Sequence, residues 1–340
     1  MNMEMKEILT RAVEGRDLTE EEAAEAMRTI MSGQATGAQI AGLLVALRLK
    51  GETVEEITGF ARVMREMATK VDAGADVTDT CGTGGDSSLS FNISTTAALV
   101  AAGMGVRIAK HGNRAVSSTS GSADVLKALG VNVDAGVETV ARSIREANFG
   151  FLFAPRLHLA MKYAIGPRRE MGIRTVFNIL GPLTNPAGAT RQLLGVFNRD
   201  LTEVLARVLA NLGTKRAYVV HGHDGLDEIT VTDDTTITEV DEGAVETRTL
   251  SPEDIGLKRW NLEDLQVANP EEALKAVREV LSGATGARRD IVLANAAAVA
   301  VVGGRCAGLE EGVEAAAESI DSGRAAEALE KVVEITNAEA

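Results

Sequence analysis

At 340 residues the chain is suited to about two domains, and its 45% hydrophobic content is enough for a sizeable core. A formal net charge of -14 and only 3% aromatic residues argue against a general nucleic-acid binder, which needs basic surface against phosphates and aromatic platforms against bases. Cys81 and Cys306 are far apart and not at metal-ligand spacing, so neither a disulfide framework nor a zinc site is suggested. The N-terminus has no basic start followed by an apolar run. The longest apolar run, Ile291 to Val302, contains Asn295 and is too short to span a bilayer. The sequence reads as a soluble, cytoplasmic protein.

Residues 1 to about 70 read as helical. Thr19 with Glu22 three residues on forms a capping box, and Ala23, Ala26, Met27 and Ile30 follow at helical spacing. A second helix begins at Thr36-Gly37-Ala38 and runs to Leu49, with Ile40, Leu43, Leu44 and Leu47 on one stripe. A third spans Thr53 to Met67, with Val54, Ile57, Phe60, Ala61 and Met64 inward. From about residue 75 short β-branched runs alternate with helical ones: Val77-Thr78, Thr95 to Met104, Val106 to Ala109, Ser122 to Leu129, Val131 to Val133, Val137 to Ala147, Tyr218 to Val220 and Thr236 to Val240. That alternation predicts an α/β domain with a largely parallel sheet. Gly150 to Asn185 interrupts it with a basic, proline-bearing, loop-rich stretch, read as crossing between the domains. The expected division is residues 1–72 as a small helical domain, with part of 160–188 packed on it, and 73–340 as the α/β domain.

Five segments carry candidate chemistry. The first, Asp79-Thr80-Cys81-Gly82-Thr83-Gly84-Gly85-Asp86, lies between an apolar run and the helix-like stretch from Thr95. Glycine lets backbone approach a ligand closely, and a following helix N-terminus directs N–H groups at phosphate. It is neither a P-loop, because Asp86 and Ser87 stand where Lys-Ser or Lys-Thr is needed, nor a dinucleotide fingerprint, because Ser87 breaks the third glycine. An acid there suits a phosphate only with a cation such as Mg2+ between them. Taken alone, the segment reads first as a tight strand-to-helix turn with no ligand, and only second as a phosphate loop. Cys81 is a nucleophile or, more simply, a small packed side chain.

The second segment, Lys110 to Ser118, follows an apolar strand and offers lysine, arginine and serines to a phosphate at a strand's carboxyl end. Ser120-Gly121-Ser122 opens a helix, where Ser122 is an N-cap or a phosphate donor. The fourth, His158 to Thr175, carries Arg168-Arg169, whose guanidinium forks suit a carboxylate ligand or else pair with Glu170 on the surface. The fifth, His221-Gly222-His223-Asp224-Gly225-Leu226-Asp227-Glu228, sets adjacent acids after a strand, as a hard cation bridging a pyrophosphate requires.

Together these parts ask for a phosphate, a pyrophosphate with Mg2+ and a carboxylate. The chain resembles the anthranilate phosphoribosyltransferase family through Asp79 to Thr95, Lys110 to Asp124, Phe151 to Pro186 (including Arg174-Thr175-Val176-Phe177-Asn178-Ile179-Leu180-Gly181-Pro182-Leu183-Thr184-Asn185-Pro186) and Val220 to Glu228. The resemblance implies a small helical domain and a larger α/β domain of the nucleoside phosphorylase and phosphoribosyltransferase kind, with the site between them. It implies transfer of phosphoribose from phosphoribosyl pyrophosphate to anthranilate in tryptophan biosynthesis, with Mg2+, in two ions, and a homodimer paired through the helical domain. Implied donor-binding residues are Gly82, Gly85, Asp86, Ser90, Asn92, Ile93, Ser94, Thr95, Lys110, His111, Gly112, Asn113, Arg114, Ala115, Val116, Ser117, Ser118 and Ser122. Anthranilate would meet Gly82, Asn113, His111, His158 and Arg168. Ser94, Asp227 and Glu228 would hold metal, and Lys110, Asp227 and Glu228 would act in catalysis. No nucleic-acid or membrane partner is implied.

Three positions depart from the family pattern. Ser90 stands where threonine is common and keeps the hydroxyl; Leu159 replaces a frequent proline; Thr119 stands where a cation is common and loses a charge near the phosphates. Two other readings share the architecture. A pyrimidine nucleoside phosphorylase would carry His-Ser-Thr before its glycine turn, where this chain has Asp79-Thr80-Cys81. A nucleic-acid-binding relative would lack Asn113 and Arg168 and carry basic grooves.

Overall fold

In the computed structural model, which describes residues 4–74, 76–85, 89–114 and 121–338, capping boxes open the N-terminal helices, and the last three begin where the sequence places them. α1 spans Met5–Val13; α2, Glu20–Met31, starts on Thr19 and Glu22; α3, Gly37–Lys50, on Thr36 and Gln39; α4, Val54–Met67, on Thr53 and Glu56. Each box satisfies amides that the first helical turn leaves without partners. Glu56 does more, because it is fully buried. Its Oε2 accepts Thr53 N, its Oε1 accepts Leu18 N, both at 2.8 Å, and Lys50 Nζ pairs with it at 3.0 Å. One carboxylate thus ties together the entries of α2 and α4 and the end of α3.

The following elements, in chain order, are β1 (Thr78–Gly82), α5 (Ile93–Gly103), β2 (Ile108–Gly112), α6 (Ser122–Ala128), α7 (Val137–Ala147), β3 (Phe149–Phe153), α8 (Ala154–Leu157), α9 (Lys162–Met171), α10 (Phe177–Leu180), β4 (Arg191–Gly195), α11 (Leu201–Asn211), β5 (Arg216–Gly222), β6 (Thr235–Asp241), β7 (Ala244–Leu250), α12 (Pro270–Leu281), α13 (Ala287–Val302), α14 (Leu309–Asp321) and α15 (Arg324–Asn337). The strands form one sheet in the order β3-β2-β1-β4-β5-β6-β7. β1 to β5 run parallel, and β6 and β7 are antiparallel additions at one edge. The chain leaves β1 towards β2 and β3, then returns to place β4 on β1's other side. The carboxyl end of β1 is therefore a topological switch point, where open α/β sheets hold ligands.

From Ile291 on, α13 is buried on every side, next to α5 and α14, and apart from Asn295 it is apolar all round. α9 returns to the helical bundle: the Tyr163 ring lies against Gly33, Pro167 lies against Gly37, and Ala164 is fully buried. The bundle's apolar core runs on into α10, α11 and one face of β4 and β5.

Two sequence expectations are corrected here. Val131 to Val133 is not a strand: both valines are buried, and Asn132 bonds to Thr336 of α15 through its amide and its side chain, each at 3.2 Å. Gly150 to Asn185 is not mainly loop, since it holds most of β3 together with α8, α9 and α10. Among the described residues, no helix is long and apolar enough to cross a membrane.

Candidate active site

Four neighbouring parallel strands, β2, β1, β4 and β5, end in Gly112, Gly82, Gly195 and Gly222. For Gly82 and Gly195 the reason lies in what crosses them. The segment after β5 folds back over the strand ends, with the Asp227 side chain against Gly82 and the Asp227 main chain against Gly195. A Cβ at either glycine would collide with Asp227. Asp227 Oδ2 then accepts Gly84 N at 2.9 Å, and Glu228 Oε1 accepts Ser94 N at 3.1 Å. The acid pair thus closes on both the glycine turn and the first turn of α5. Gly84 and Gly85 have φ of 65° and 83°, a conformation that favours glycine at both positions.

Lys110 lies beneath this junction within β2, only 2% exposed. Its Nζ donates to Thr80 O at 2.5 Å and to Ser94 Oγ at 3.2 Å. Burial lowers its pKa, while Cys81, Asp79, Glu228 and Asp227 act in the opposite sense. Asp79 is fully buried and is pushed up to about 6 by that burial, against the lowering effect of Asn185, the His111 amide and Lys110. Its Oδ1 accepts His111 N at 3.0 Å, so β1 fixes the carboxyl end of β2 through a side chain as well as the ladder. Cys81 is a packing residue: it is buried, burial pushes its thiol well up, and Gln192 Nε2 donates to its sulfur at 3.2 Å.

His111 and His158 form a tilted ring pair with centroids 5.0 Å apart. Burial pushes His111 down to about 3, with the neighbouring His158 adding to it, and pushes His158 down to about 4. Both rings are uncharged at neutral pH. His111 Nδ1 lies 3.1 Å from Gly181 O, which brings the segment after α10 against the end of β2. Asn113 Oδ1 accepts Arg114 N at 2.8 Å, and its carbonyl accepts Ser122 Oγ and Ala123 N, both at 3.2 Å, at the start of α6. The Arg114 guanidinium lies 5.7 Å from the Phe153 ring centre. Arg168 stands apart on α9, over Phe177 at 4.9 Å, its pKa lowered by burial.

Ile93 and Thr95 are buried, Asn92 opens α5, and Ser90 pairs with Gln266 in an isolated bridge. Gly112 packs against Ser122 and Phe151. Asp86, Ala115, Val116, Ser117 and Ser118, together with Ser87 and Thr119, lie outside the described residues.

Sequence reasoning gave no role to Arg174. Its Nη2 donates to Gly85 O at 2.7 Å, and its guanidinium stacks over Phe197 at 4.4 Å. Phe197 N in turn bonds Thr83 Oγ1 at 3.1 Å, so the glycine turn is held from β4 and from the segment after α9 together. In the sequence Arg174 merely heads the matched stretch Arg174 to Pro186, with no role of its own.

Asp227, Glu228 and Ser94 offer hard oxygen atoms at one place, the donor chemistry that Mg2+ prefers. A transition-metal site from the histidines is not supported. His221 Nδ1 is 2.7 Å from Val196 O, and the Asp233 and Asp234 carboxylates near His223 are paired with Arg259 at 3.2 and 2.6 Å.

A helical bundle joined to an α/β domain, with a carboxylate-lined glycine turn at the switch point, defines a class of transferase. The family described as glycosyl transferase, helical bundle domain, matches residues 6–68, and glycosyl transferase, a/b domain, matches residues 74–326. The chain is 56% identical to an anthranilate phosphoribosyltransferase from Moorella thermoacetica, covering 97% of each. A solved anthranilate phosphoribosyltransferase from Thermus thermophilus matches 97% of this chain with 99% of its own, at 45% identity and a TM-score of 0.92. The Saccharomyces cerevisiae enzyme, solved in complex with PRPP and Mg, matches with 30% identity and a TM-score of 0.88 over 98% of both chains. It has also been solved in complex with 4-fluoroanthranilate. The chain belongs to the anthranilate phosphoribosyltransferase family. The phosphorylase and nucleic-acid-binding readings fall away with that membership.

Proposed function

We infer that this protein transfers phosphoribose from 5-phosphoribosyl 1-pyrophosphate to the amine of anthranilate, giving N-(5-phosphoribosyl)anthranilate and pyrophosphate, a step of tryptophan biosynthesis. One observation carries the reading at the level of the site: Asp227 and Glu228 converge on the glycine turn and on the first turn of α5, directly above buried Lys110. That arrangement suits a polyanionic donor with its cation. Asp227, Glu228 and Ser94 would hold Mg2+, in two ions. When bound, Mg2+ supplies charge neutralisation to the departing pyrophosphate.

The chain's own residues do the rest. Lys110 sets a positive charge where the leaving group gains negative charge. The turn through Gly82, Gly85 and Asp86, the start of α5 and the Lys110 to Ser122 segment hold the donor's phosphates and ribose. Arg168 and Asn113 take the anthranilate carboxylate and ring edge, and the neutral His111 and His158 rings line its approach. An aryl amine is uncharged at neutral pH, so it needs alignment with the anomeric carbon more than a base. No covalent intermediate is required.

The donor's charge keeps it in the compartment where it is made, which supports a cytoplasmic enzyme. Exposed Val13 on α1 and Val45 and Leu49 on α3 support a homodimer paired through the bundle. The reading is tested by anthranilate fluorescence, which should fall only when donor and Mg2+ are both present. Loss of fluorescence without either, or none with both, would overturn it.

A further inference from the structure

Asn295 is the one polar residue in the apolar run from Ile291 to Val302, and it is fully buried. Its side chain explains why. Oδ1 accepts Ile229 N at 3.0 Å, and Nδ2 donates to Ile229 O at 2.8 Å and to Ile291 O at 2.8 Å. Ile229 is the residue directly after Glu228. Leu226 and Ile229, on either side of the acid pair, are both buried in the core. The chain leaves the sheet at Gly222 and rejoins it at Thr235, and between Leu226 and Ile229 it crosses Gly195 and Gly82. Ile229's peptide groups therefore have no ladder partner, yet they lie in the interior, where unpaired polar backbone is costly. A single carboxamide supplies both a donor and an acceptor in one plane, as a neighbouring strand would.

We propose that Asn295 is a positioning residue for the acid pair. By holding both peptide groups of Ile229 from the buried helix α13, it fixes where Asp227 and Glu228 emerge over the glycine turn before any ligand binds. A rigid support of this kind removes the ordering that binding would otherwise demand. The inference rests on the phosphoribosyl-transfer reading for its kinetic consequence, but not for its structural one.

Asn295→Asp keeps the shape and the acceptor and removes the donor; Asn295→Leu keeps the bulk and removes both. In whichever variant folds, as judged by circular dichroism and a cooperative melt, the donor KM and the Mg2+ needed for half-activation should rise about tenfold, the size of one buried hydrogen bond lost with its partner left unpaired. The anthranilate KM should stay within about twofold, since the change is confined to the donor's side. In ligand-free protein, hydrogen exchange of a peptide covering residues 224–230 should quicken. A folded variant with unchanged donor KM and unchanged exchange would overturn the proposal, as would equal rises in both KM values, which mark general loosening. If neither variant folds, the unaltered protein decides: the Ile229 amide should exchange among the slowest in the chain, and rapid exchange would overturn the clamp. If the unaltered protein transfers no phosphoribose, the functional reading falls, and the exchange comparison still decides the role of Asn295.

Discussion

Gly195 ends β4 directly beneath the carbonyl of Asp227, so close that one added methyl group would collide with it. Gly195→Ala therefore pushes on main chain rather than on a side chain that can swing away. The expected cost is about 1–3 kcal/mol of stability, as for other overpacked sites. A raised donor KM should accompany it, because Asp227 can no longer reach Gly84. Urea denaturation and initial-rate kinetics measure the two. A variant with wild-type donor KM would show that the acid pair finds its seat without this contact.

Removing the charges of the acid pair separates their chemistry from their packing. In the double variant Asp227→Asn, Glu228→Gln, each side chain keeps an oxygen to accept Gly84 N and Ser94 N, so the turn should persist. What is lost is the negative charge that a hard cation requires. Turnover should fall by about 10²–10³, the scale of losing a principal electrostatic contributor. The Mg2+ dependence should shift to higher concentration. Wild-type turnover with an unchanged metal profile would remove both residues from the metal site.

Arg168 offers the complementary test. It lies on α9, which packs on the helical bundle, while the acid pair lies over the ends of β1 and β4. Arg168→Ala should raise the anthranilate KM by about tenfold or more, the loss of a hydrogen bond to a charged carboxylate. The donor KM should barely move. Equal effects on both substrates would mean that Arg168 acts by holding the two domains rather than by binding anthranilate.

The helical bundle was legible because its signals are local. Thr19, Thr36 and Thr53 each announce a helix start within four residues. The sheet was legible in class but not in detail. β4 is a five-residue strand without a distinctive pattern, and β7 is an edge strand with most side chains exposed. β1 and β2 run further than expected because Asp79 to Gly82 and Lys110 to Gly112, which look like loop chemistry, continue the ladder. Asp79 and Lys110 are buried there and each finds partners across strands, which no local rule reveals. The same limit hid Arg174 and Asn295. Their partners, Gly85 and Ile229, lie 89 and 66 residues away, so neither contact leaves a periodic or motif-like trace.

The buried titrating groups around β2 predict an acid sensitivity with a definite source. His111 and His158 fall from 6.5 to about 3 and about 4 on folding, chiefly because burial disfavours the imidazolium. Their contribution to stability is complete above pH 6.5 and is lost as pH falls towards those folded values. Asp79 rises from 3.8 to about 6, also through burial. Its contribution has the opposite course: complete below 3.8 and lost as pH rises through about 6. Near pH 5 the unfolded chain holds nearly two more imidazole protons, and the folded chain nearly one more carboxyl proton; towards pH 6 both differences shrink together. These three groups together then favour unfolding by one net proton, about 1.4 kcal/mol per pH unit of acidification. His158→Leu leaves one imidazole against one carboxyl and should flatten that contribution, while Asp79→Asn should roughly double it. Urea midpoints measured at half-unit steps from pH 6 to 4.5 for the three proteins decide the matter. An unchanged slope in His158→Leu would show that this ring is already charged, or not buried, in the folded protein.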